Sequence, residues 1–291
     1  MNAGVDSRVY LGSGVTLIPA YAYSIFHQTG FSDIHRNTLS LNADYRPSRL
    51  FTASVGLGAS LYDDDRQRLT SREALTVAPG HGFELGVAHE HLAIIDTEPP
   101  FRNPIYNYVV TLGAVGRKIS SDDYTLNIVQ RLRADLDAWG RFTYGDYSDG
   151  NRKLSWSLGM DYRPEPIHGL SLSYNYFYLD YADPAPVFTE NTASVSAYYD
   201  PTNLEVHTLG VSYASAPTAP VRYGGQWNIS YLPKSNGVAN ALFGFASLGL
   251  TKSQAIRLDV RYFYQDKGVG RTGTSGHFSA ENVMLAYEYT F

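Results

Sequence analysis

The sequence predicts an all-β fold, a transmembrane antiparallel up-and-down β-barrel of about 16 strands, within a range of about 14 to 16. Three observations lead to it: apolar and polar residues alternate at the end of the chain, the same alternation recurs throughout, and tyrosine is abundant. In the final stretch, one face of a period-two strand carries Val283, Leu285, Tyr287, Tyr289 and Phe291. Small or polar residues dominate the other face. Such a strand suits lipid on one side and a hydrated interior on the other.

The composition favours a membrane barrel over a soluble sandwich. The 291 residues include 24 Tyr and 13 Phe, but only 18% are charged and none is cysteine. Two aromatic girdles at membrane interfaces need tyrosine in this amount, whereas the solvent faces of a sandwich should carry alternating Lys and Glu. Alternation fits both architectures, so a soluble all-β protein remains the alternative. The net charge of −5, without a basic block interleaved with aromatics, argues against a nucleic-acid partner.

Two absences concern the organisation of the chain. No run of about 18 apolar residues occurs, which excludes a transmembrane helix. Residues 1–8 have neither the basic nor the apolar part of a signal peptide. We therefore expect residues 1–291 to form a single barrel domain, the excised C-terminal part of a longer protein.

Strands can be placed in succession along the whole chain. The first half is predicted to hold strands at 15–26, 38–45, 51–61, 83–91, 106–114, 124–128 and 136–144. The second half is predicted to hold strands at 154–162, 170–178, 194–199, 207–213, 226–231, 239–248, 256–262 and 280–291. Residues 63–80 are predicted to be a long loop, and 120–123 and 133–135 to be turns. Pro19 indicates an irregular point, because proline cannot donate to a sheet.

One strand-turn-strand unit recurs in the sequence. Asp44-Tyr-Arg-Pro47 and Asp161-Tyr-Arg-Pro164 each end one alternating strand and precede another. The pattern predicts a tyrosine at the membrane boundary and an Arg-Pro pair that starts the turn.

The end of the chain resembles known families. The closing strand is similar to that of bacterial outer-membrane β-barrels, a resemblance that implies Phe291 as the assembly signal. Residues 174–181, 197–201, 260–266 and 285–291 are similar to the C-terminal barrels of bacterial exopolysaccharide exporters of the cellulose, poly-N-acetylglucosamine and Pel type. The motif that carries this likeness most clearly is Tyr198, Tyr199, Asp200 and Pro201. Asp200 stands where that family usually has serine.

This resemblance implies a function and partners. The function is an outer-membrane pore that conducts a secreted polysaccharide chain from the periplasm to the cell surface. The implied partners are outer-membrane lipid, the polysaccharide, a periplasmic tetratricopeptide-repeat scaffold and an inner-membrane synthase complex. Conduction requires no catalytic residue and no cofactor.

Alternation assigns the residues that line the substrate path. In the strand at 51–61 the inward set is small and polar: Thr52, Ser54, Gly56, Gly58 and Ser60. Charged and aromatic residues predicted to line the lumen are Arg131, Asp137, Trp139, Arg141, Asp161, Arg257, Asp259, Arg261 and Glu288. Charges of both signs together with aromatic rings can form hydrogen bonds and stacking contacts with sugars, and no single site binds the chain tightly enough to stop it. Alternatively, these charges only neutralise each other in a wet interior.

Two other functions stay open. One is a general diffusion porin; the other is an outer-membrane barrel enzyme of the lipase or protease type. His89 and His91 place two imidazoles on one strand face, which fits either an acid-base or metal site or histidines at the membrane interface. The chain has no nucleophile elbow, zinc-peptidase motif or phosphate-binding loop, so we expect neither catalysis nor a metal.

Overall fold

A computed structural model describes most of the chain. The described residues are 2–26, 33–63, 67–93, 118–165, 167–190, 193–196, 200–216, 221–251, 254–270, 273–275 and 278–289. Nearly all of them are extended. Their helical part is one short 3₁₀ turn at Pro233–Ser235, and no helix among them is long and apolar enough to cross a membrane.

Twenty strands follow one another. The first ten are β1 (Asn2–Asp6), β2 (Val9–Gly12), β3 (Val15–Phe26), β4 (Ile34–Ser48), β5 (Phe51–Tyr62), β6 (Gln67–Gly80), β7 (Phe83–Ala93), β8 (Ser120–Arg133), β9 (Leu136–Tyr147) and β10 (Arg152–Tyr162). The others are β11 (Leu170–Tyr181), β12 (Val187–Glu190), β13 (Ala193–Ser196), β14 (Leu204–Ala214), β15 (Val221–Leu232), β16 (Gly237–Gly249), β17 (Gln254–Gln265), β18 (Gly268–Gly270), β19 (Gly273–Ser275) and β20 (Phe278–Tyr289).

Sixteen of these strands form one sheet in which each wall strand pairs antiparallel with the next along the chain. The pairs run from β1 and β2 on β3 through to β17 on β20, and no pair between described residues joins β1 to β20. The small hairpins β12–β13 and β18–β19 lie in connections between wall strands. The fold is an up-and-down antiparallel β-barrel whose sheet has 16 strands when β1 and β2, which pair with the same edge of β3, are counted separately. This confirms the predicted class and strand number.

Pro19 explains why the first wall strand is interrupted. β1 pairs with β3 up to Asp6 and Ala20, and β2 resumes at Val9 and Leu17. Between them, Ser7 donates its backbone N–H to the Pro19 carbonyl oxygen at 3.1 Å. Proline has no N–H to return, so the ladder breaks there. The predicted irregular point is confirmed.

The two ends of the barrel have connections of different length. Two-residue turns join β2 to β3, β4 to β5, β6 to β7 and β8 to β9 at one end, here called the short-turn end. The other end, the long-loop end, carries residues 94–119 between β7 and β8 and residues 182–203 between β11 and β14. The β6–β7 turn holds His81 and Gly82 at φ 54° and 71°, as a type I′ hairpin requires.

Two sequence expectations were wrong, a third strand lies outside the wall, and a fourth falls outside the described residues. Residues 67–80 are strand β6 and not loop; its alternation is diluted because Glu73, on the outer face, pairs with His89 of β7. Residues 120–123 begin β8 and are not a turn, because Asp123 is neutralised across the sheet by Lys153. Of the strand expected at 194–199, residues 194–196 belong to β13, in a small hairpin outside the wall, and residues 197–199 lie outside the described part of the chain. The strand expected at 106–114 lies outside the described residues.

Most wall strands present an apolar outer face and a polar inner face. In β10, Leu158 and Met160 are exposed on the outside, while Ser155 and Ser157 are buried on the inside. The inner face of β5 carries its predicted small polar set, with Leu57 among the exposed outer residues. The outward aliphatic surface is what hydrocarbon would cover.

Aromatic residues mark the boundaries of this apolar surface. Near the long-loop end, Trp156 and Tyr178 stack on the outside with ring centroids 3.9 Å apart. Near the short turns, the tyrosines of the two Asp-Tyr-Arg-Pro segments, Tyr45 and Tyr162, are exposed on the outer face. Rings with a polar tip suit the membrane–water interface. The recurring motif therefore places its tyrosine where the sequence predicts.

One part of the inner face is apolar. At the long-loop end of β11 to β17, side chains at 0–2% relative exposure form what we call the inner apolar patch, namely Phe177, Leu179, Leu204, Val206, Leu232 and Phe263. The connection from β11 to β14 begins and ends beside this patch, and its Ala185 and Pro201 are buried too. This half of the mouth is packed and dry, like the core of a soluble domain.

Candidate functional site

The inner wall of β9 and β10 brings together the first of the candidate residues. Asp137, Trp139, Arg141 and Thr143 alternate along the inner face of β9. The Trp139 Nε1–H donates to Asp161 Oδ2 of β10 at 3.0 Å, although the two residues are 22 positions apart. The indole lies over Gly159, where a Cβ atom would overlap the ring. Glycine is therefore needed at this position for the tryptophan to lie flat on the wall.

Replacing Gly159 by alanine is expected to displace Trp139 from Asp161 and to reduce stability by about 1–3 kcal/mol, the usual cost of overpacking. The measurement is tryptophan fluorescence in a background with Trp156 and Trp227 changed to phenylalanine, where emission should shift towards that of hydrated indole. Gly86→Ala is the matched control, because its nearest neighbour would be Thr76 Oγ1 at 3.4 Å. Equal spectra for both variants would contradict this packing.

A three-residue ion cluster lies at the short-turn end. Asp137 Oδ1 accepts from Arg131 Nε at 3.2 Å, and its Oδ2 accepts from Arg163. One carboxylate thus joins β8, β9 and the residue that follows β10. Two candidates from the sequence, Arg131 and Asp137, are brought together here, and Arg163 belongs to the second Asp-Tyr-Arg-Pro segment.

The most buried ion pair of the inner wall joins β8 and β10. Lys153 Nζ donates to Asp123 Oδ2 at 2.5 Å. These strands are separated by β9, whose intervening residue is Gly145; a Cβ there would overlap Asp123 Oδ1 and lie 3.0 Å from Lys153 Cε. The glycine lets the two side chains meet across a strand. Lys153 also lies 5.6 Å from the Tyr147 ring centroid.

Further polar residues surround this pair. A small recess in the wall is lined by Glu90, Asp123, Arg141, Thr143, Lys153, Ser155 and Ser157. Glu90 also pairs with Arg72 of β6 at 2.9 Å. The candidate Arg141 therefore belongs to a recess that holds charges of both signs and three hydroxyls.

The wall of β15 to β17 carries the remaining candidates. Arg257 donates to both oxygens of Asp259, with N–O distances from 2.9 to 3.1 Å. The Arg257 guanidinium lies 5.1 Å from the centroid of Phe245, and that of Arg261 lies 5.5 Å from Phe243. The two phenylalanines alternate with outward residues on β16.

Glu288 is placed by backbone register alone. It pairs with Ala255 in the β17–β20 ladder, two positions from Arg257. Directly paired residues share a face of the sheet, so Glu288 belongs to the inner face at the short-turn end. Phe291 lies outside the described residues.

Sequence reasoning missed several residues of the inner wall. Lys153, Asp123, Glu90 and Arg72 pair across strands, which needs the strand register and cannot be read from one strand alone. The sequence did indicate which face of its strand each of them occupies, because each alternates with lipid-facing residues of that strand. The phenylalanines of β16 gave no signal, because both faces of that strand are apolar.

Only half of the resemblance motif lies in the described part of the chain. Tyr198 and Tyr199 are outside it. Asp200 accepts a hydrogen bond from the Ala185 N–H at 2.7 Å, and Tyr181 N–H donates to the Pro201 carbonyl oxygen at 3.1 Å. These contacts hold the two ends of the β11–β14 connection together at the long-loop mouth.

His89 and His91 point away from the lumen. Both share the outer face of β7, where His89 contacts Glu73 at 2.8 Å and Asp122 at 3.1 Å, and His91 contacts Asp122 at 2.9 Å. His89 also stacks on Tyr124 with centroids 4.8 Å apart. In the described chain neither imidazole has a serine or threonine hydroxyl as partner. This arrangement fits interfacial histidines held by carboxylates.

No metal centre is found in the part of the chain that the structure describes. Within that part, no group of three or more His, Cys, Asp or Glu residues is placed to hold a metal ion.

The fold and its faces define a class of protein. An exposed belt of aliphatic and aromatic side chains surrounds an inner wall of hydroxyls, amides and ion pairs. In water such a belt would be a large aggregation-prone surface, whereas in a bilayer it is the favourable contact. The chain is a transmembrane β-barrel of the bacterial outer-membrane type.

Comparisons with known proteins give structural relationships only. No protein-family model and no curated protein sequence matches the chain. Its fold is similar to that of a bacterial polysaccharide outer membrane secretin, with a TM-score of 0.70 and 12% identity over 100% of this chain and 89% of that one. An anion-selective porin from Comamonas acidovorans gives 0.46, with 8% identity over 100% of both chains. OccK10 of Pseudomonas aeruginosa gives 0.48, with 13% identity over 100% of this chain and 92% of that one.

Proposed function

We propose that this barrel is a pore in the bacterial outer membrane that conducts a secreted exopolysaccharide from the periplasm to the cell surface. The observation that carries the proposal is the inner wall: ion pairs, hydroxyls and aromatic rings follow one another from the short-turn end towards the long loops. A moving sugar chain can exchange hydrogen bonds along such a wall without stopping at one strong site. The likeness to a polysaccharide secretin over the full length of this chain supports it.

The direction of transport follows from the two ends. Outer-membrane barrels place short turns in the periplasm and longer loops outside the cell. The polymer would therefore enter at the Arg131–Asp137–Arg163 cluster and leave beside the inner apolar patch.

The proposal includes the organisation that the resemblance implies. In this view the chain is the C-terminal barrel of a longer protein whose tetratricopeptide repeats reach an inner-membrane synthase, and Phe291 is its assembly signal. Reading the gene immediately upstream tests this point. We expect helical repeats to be encoded there, either in frame with the barrel or in an adjacent gene. If neither the same reading frame nor the adjacent gene encoded them, this organisation would be contradicted.

Single-channel recording tests the pore itself. Purified barrels are inserted into planar bilayers, and neutral oligosaccharides of increasing length are added to the short-turn side. We expect interruptions of the ion current whose duration grows with chain length, because a longer chain makes more contacts with the wall. Brief interruptions that do not depend on length would instead indicate a general diffusion porin.

A further inference from the structure

The short-turn half of the β15–β17 wall differs from the rest of the lumen. Its inner face carries three arginines and two phenylalanines, which we call the arginine–phenylalanine track: Arg222, Phe243, Phe245, Arg257 and Arg261. In the strand register, Arg222 of β15 pairs with Ser247 of β16, and Ser247 pairs in turn with Arg257 of β17. Arg261 of β17 pairs with Phe243 of β16. Arg257 and Arg261 are four residues apart on β17, or about 13 Å along the strand. The track therefore extends from the short-turn mouth to the middle of the bore.

Two of the three guanidinium groups each have a phenylalanine ring beneath them. Arg257 lies over Phe245 and Arg261 over Phe243, at 5.1 and 5.5 Å from the ring centroids. Stacking uses the face of a guanidinium and leaves its N–H donors at the edge available. Phe245 can lie along the wall because Gly224 of β15 provides the space beside it. The track thus presents preorganised donors to the lumen.

Positive charge is in excess on this wall. Within β15 to β17 the inner carboxylate is Asp259, and Arg257 binds both its oxygens. On the neighbouring strand β20, register places Glu288 on the same face, two positions from Arg257. Three arginines therefore stand against two acids. Arg222 donates to Ser247 Oγ at 3.3 Å. No carboxylate among the described residues contacts Arg222 or Arg261. Within the described part of the chain these two cations have no acid of their own, so they can attract an anionic ligand.

The facing wall shows the opposite arrangement. There Arg72 of β6 pairs with Glu90 of β7 at 2.9 Å, so this arginine has an acid of its own. β6 and β16 are eight strands apart in the sheet order, which places them across the bore. The charge of Arg72 is thus already compensated, unlike the charges of Arg222 and Arg261.

We propose that the track selects a polyanionic polysaccharide, one whose sugar rings bear carboxylates. The guanidinium edge matches a carboxylate in shape, since two parallel N–H donors face two oxygens. Repeated arginines along β15 and β17 can pass successive carboxylates from one to the next, and the hydrated lumen keeps each contact weak enough to release. This inference rests on the proposed function and names the cargo of the same pore.

Block of the ion current by charged oligosaccharides tests the inference. Oligogalacturonate, a neutral cello-oligosaccharide and a cationic glucosamine oligomer of equal length are added to the short-turn side. We expect oligogalacturonate to block at the lowest concentration. Arg261→Gln should raise the concentration for half-block by oligogalacturonate about tenfold, because one charge-assisted contact is lost.

Two further variants separate recognition from net charge. Arg72→Gln removes the same charge from the facing wall, where the arginine is already paired with Glu90, and should change the block far less. Phe243→Leu keeps the charge but removes the ring beneath Arg261, and should weaken block by oligogalacturonate while block by the neutral chain stays unchanged. Each variant must first show the unit conductance of the parent channel.

The outcomes distinguish the two proposals. Stronger block by the cationic or neutral oligomer, or equal effects of Arg261→Gln and Arg72→Gln, would overturn the polyanion inference and leave the polysaccharide pore standing. Absence of block by all three oligomers in a conducting channel would overturn the pore function, and the inference with it.

Discussion

Replacing Lys153 by methionine is expected to lower the free energy of unfolding by about 3–5 kcal/mol, because it leaves the Asp123 carboxylate buried without its cation. The two side chains are 4% and 9% exposed, and their charged atoms are 2.5 Å apart. Asp123 Oδ1 has no hydrogen-bond partner among the described residues, so Lys153 supplies the compensation that the structure shows. The measurement is urea-induced unfolding of the barrel in detergent micelles or lipid vesicles.

Two control variants define this effect. Arg133→Gln breaks an exposed pair with Asp135 and should cost less than about 1 kcal/mol. Replacing Lys153 and Asp123 together, by methionine and leucine, should recover most of the loss, since an apolar pair can replace a buried ion pair. If the double variant were less stable than Lys153→Met alone, Asp123 would have another source of compensation.

The second large effect is expected on the outer face. Leu158 lies at the middle of β10 and is 56% exposed to what we assign as lipid. Leu158→Arg should cost about 2–4 kcal/mol, the range for arginine at the bilayer midplane of a barrel. Folding into phospholipid vesicles, followed against urea concentration, measures the loss.

The matched control puts the same charge inside. Gln226 lies at the middle of β15 on the inner face, exposed to the lumen, so Gln226→Arg should leave folding nearly unchanged. Leu158→Ala separates the loss of side-chain volume from the charge. Equal stability of Leu158→Arg and the parent barrel would mean that water covers the outer face, as in a soluble all-β protein.

Much of the wall could be predicted from alternation along single strands. Alternation placed Asp137, Trp139 and Arg141 correctly on the inner face. An error in where a strand begins or ends does not change which of its residues share a face. The prediction failed for residues 67–80, where Ser71 and Glu73 interrupt the outer apolar row because they oppose the histidines of β7. The polar composition of residues 67–80 suggested a loop, but pairing with the neighbouring strand β7 stabilises this segment as a strand.

The pairing of side chains could not be predicted in the same way. Lys153 and Asp123 meet across β9 only because Gly145 lies between them, which depends on the register of three strands. Part of the arginine–phenylalanine track could be predicted. Arg257 and Arg261, like Asp259 between them, alternate with aliphatic residues, and this shows which face of β17 they occupy. Phe243 and Phe245 give no such indication, since a strand with apolar residues on both faces has no readable inner side.

The inner apolar patch makes the bore lopsided. Phe177, Leu204 and Phe263 make one side of the long-loop mouth apolar, whereas the neighbouring inner face of β10 carries Lys153 and Ser155. In the proposed pore, a hydroxyl-rich chain would find hydrogen-bond partners on the polar side of this mouth but not on the apolar patch. Its exit would therefore be off-axis, and substitutions on the two sides of the mouth should affect release unequally.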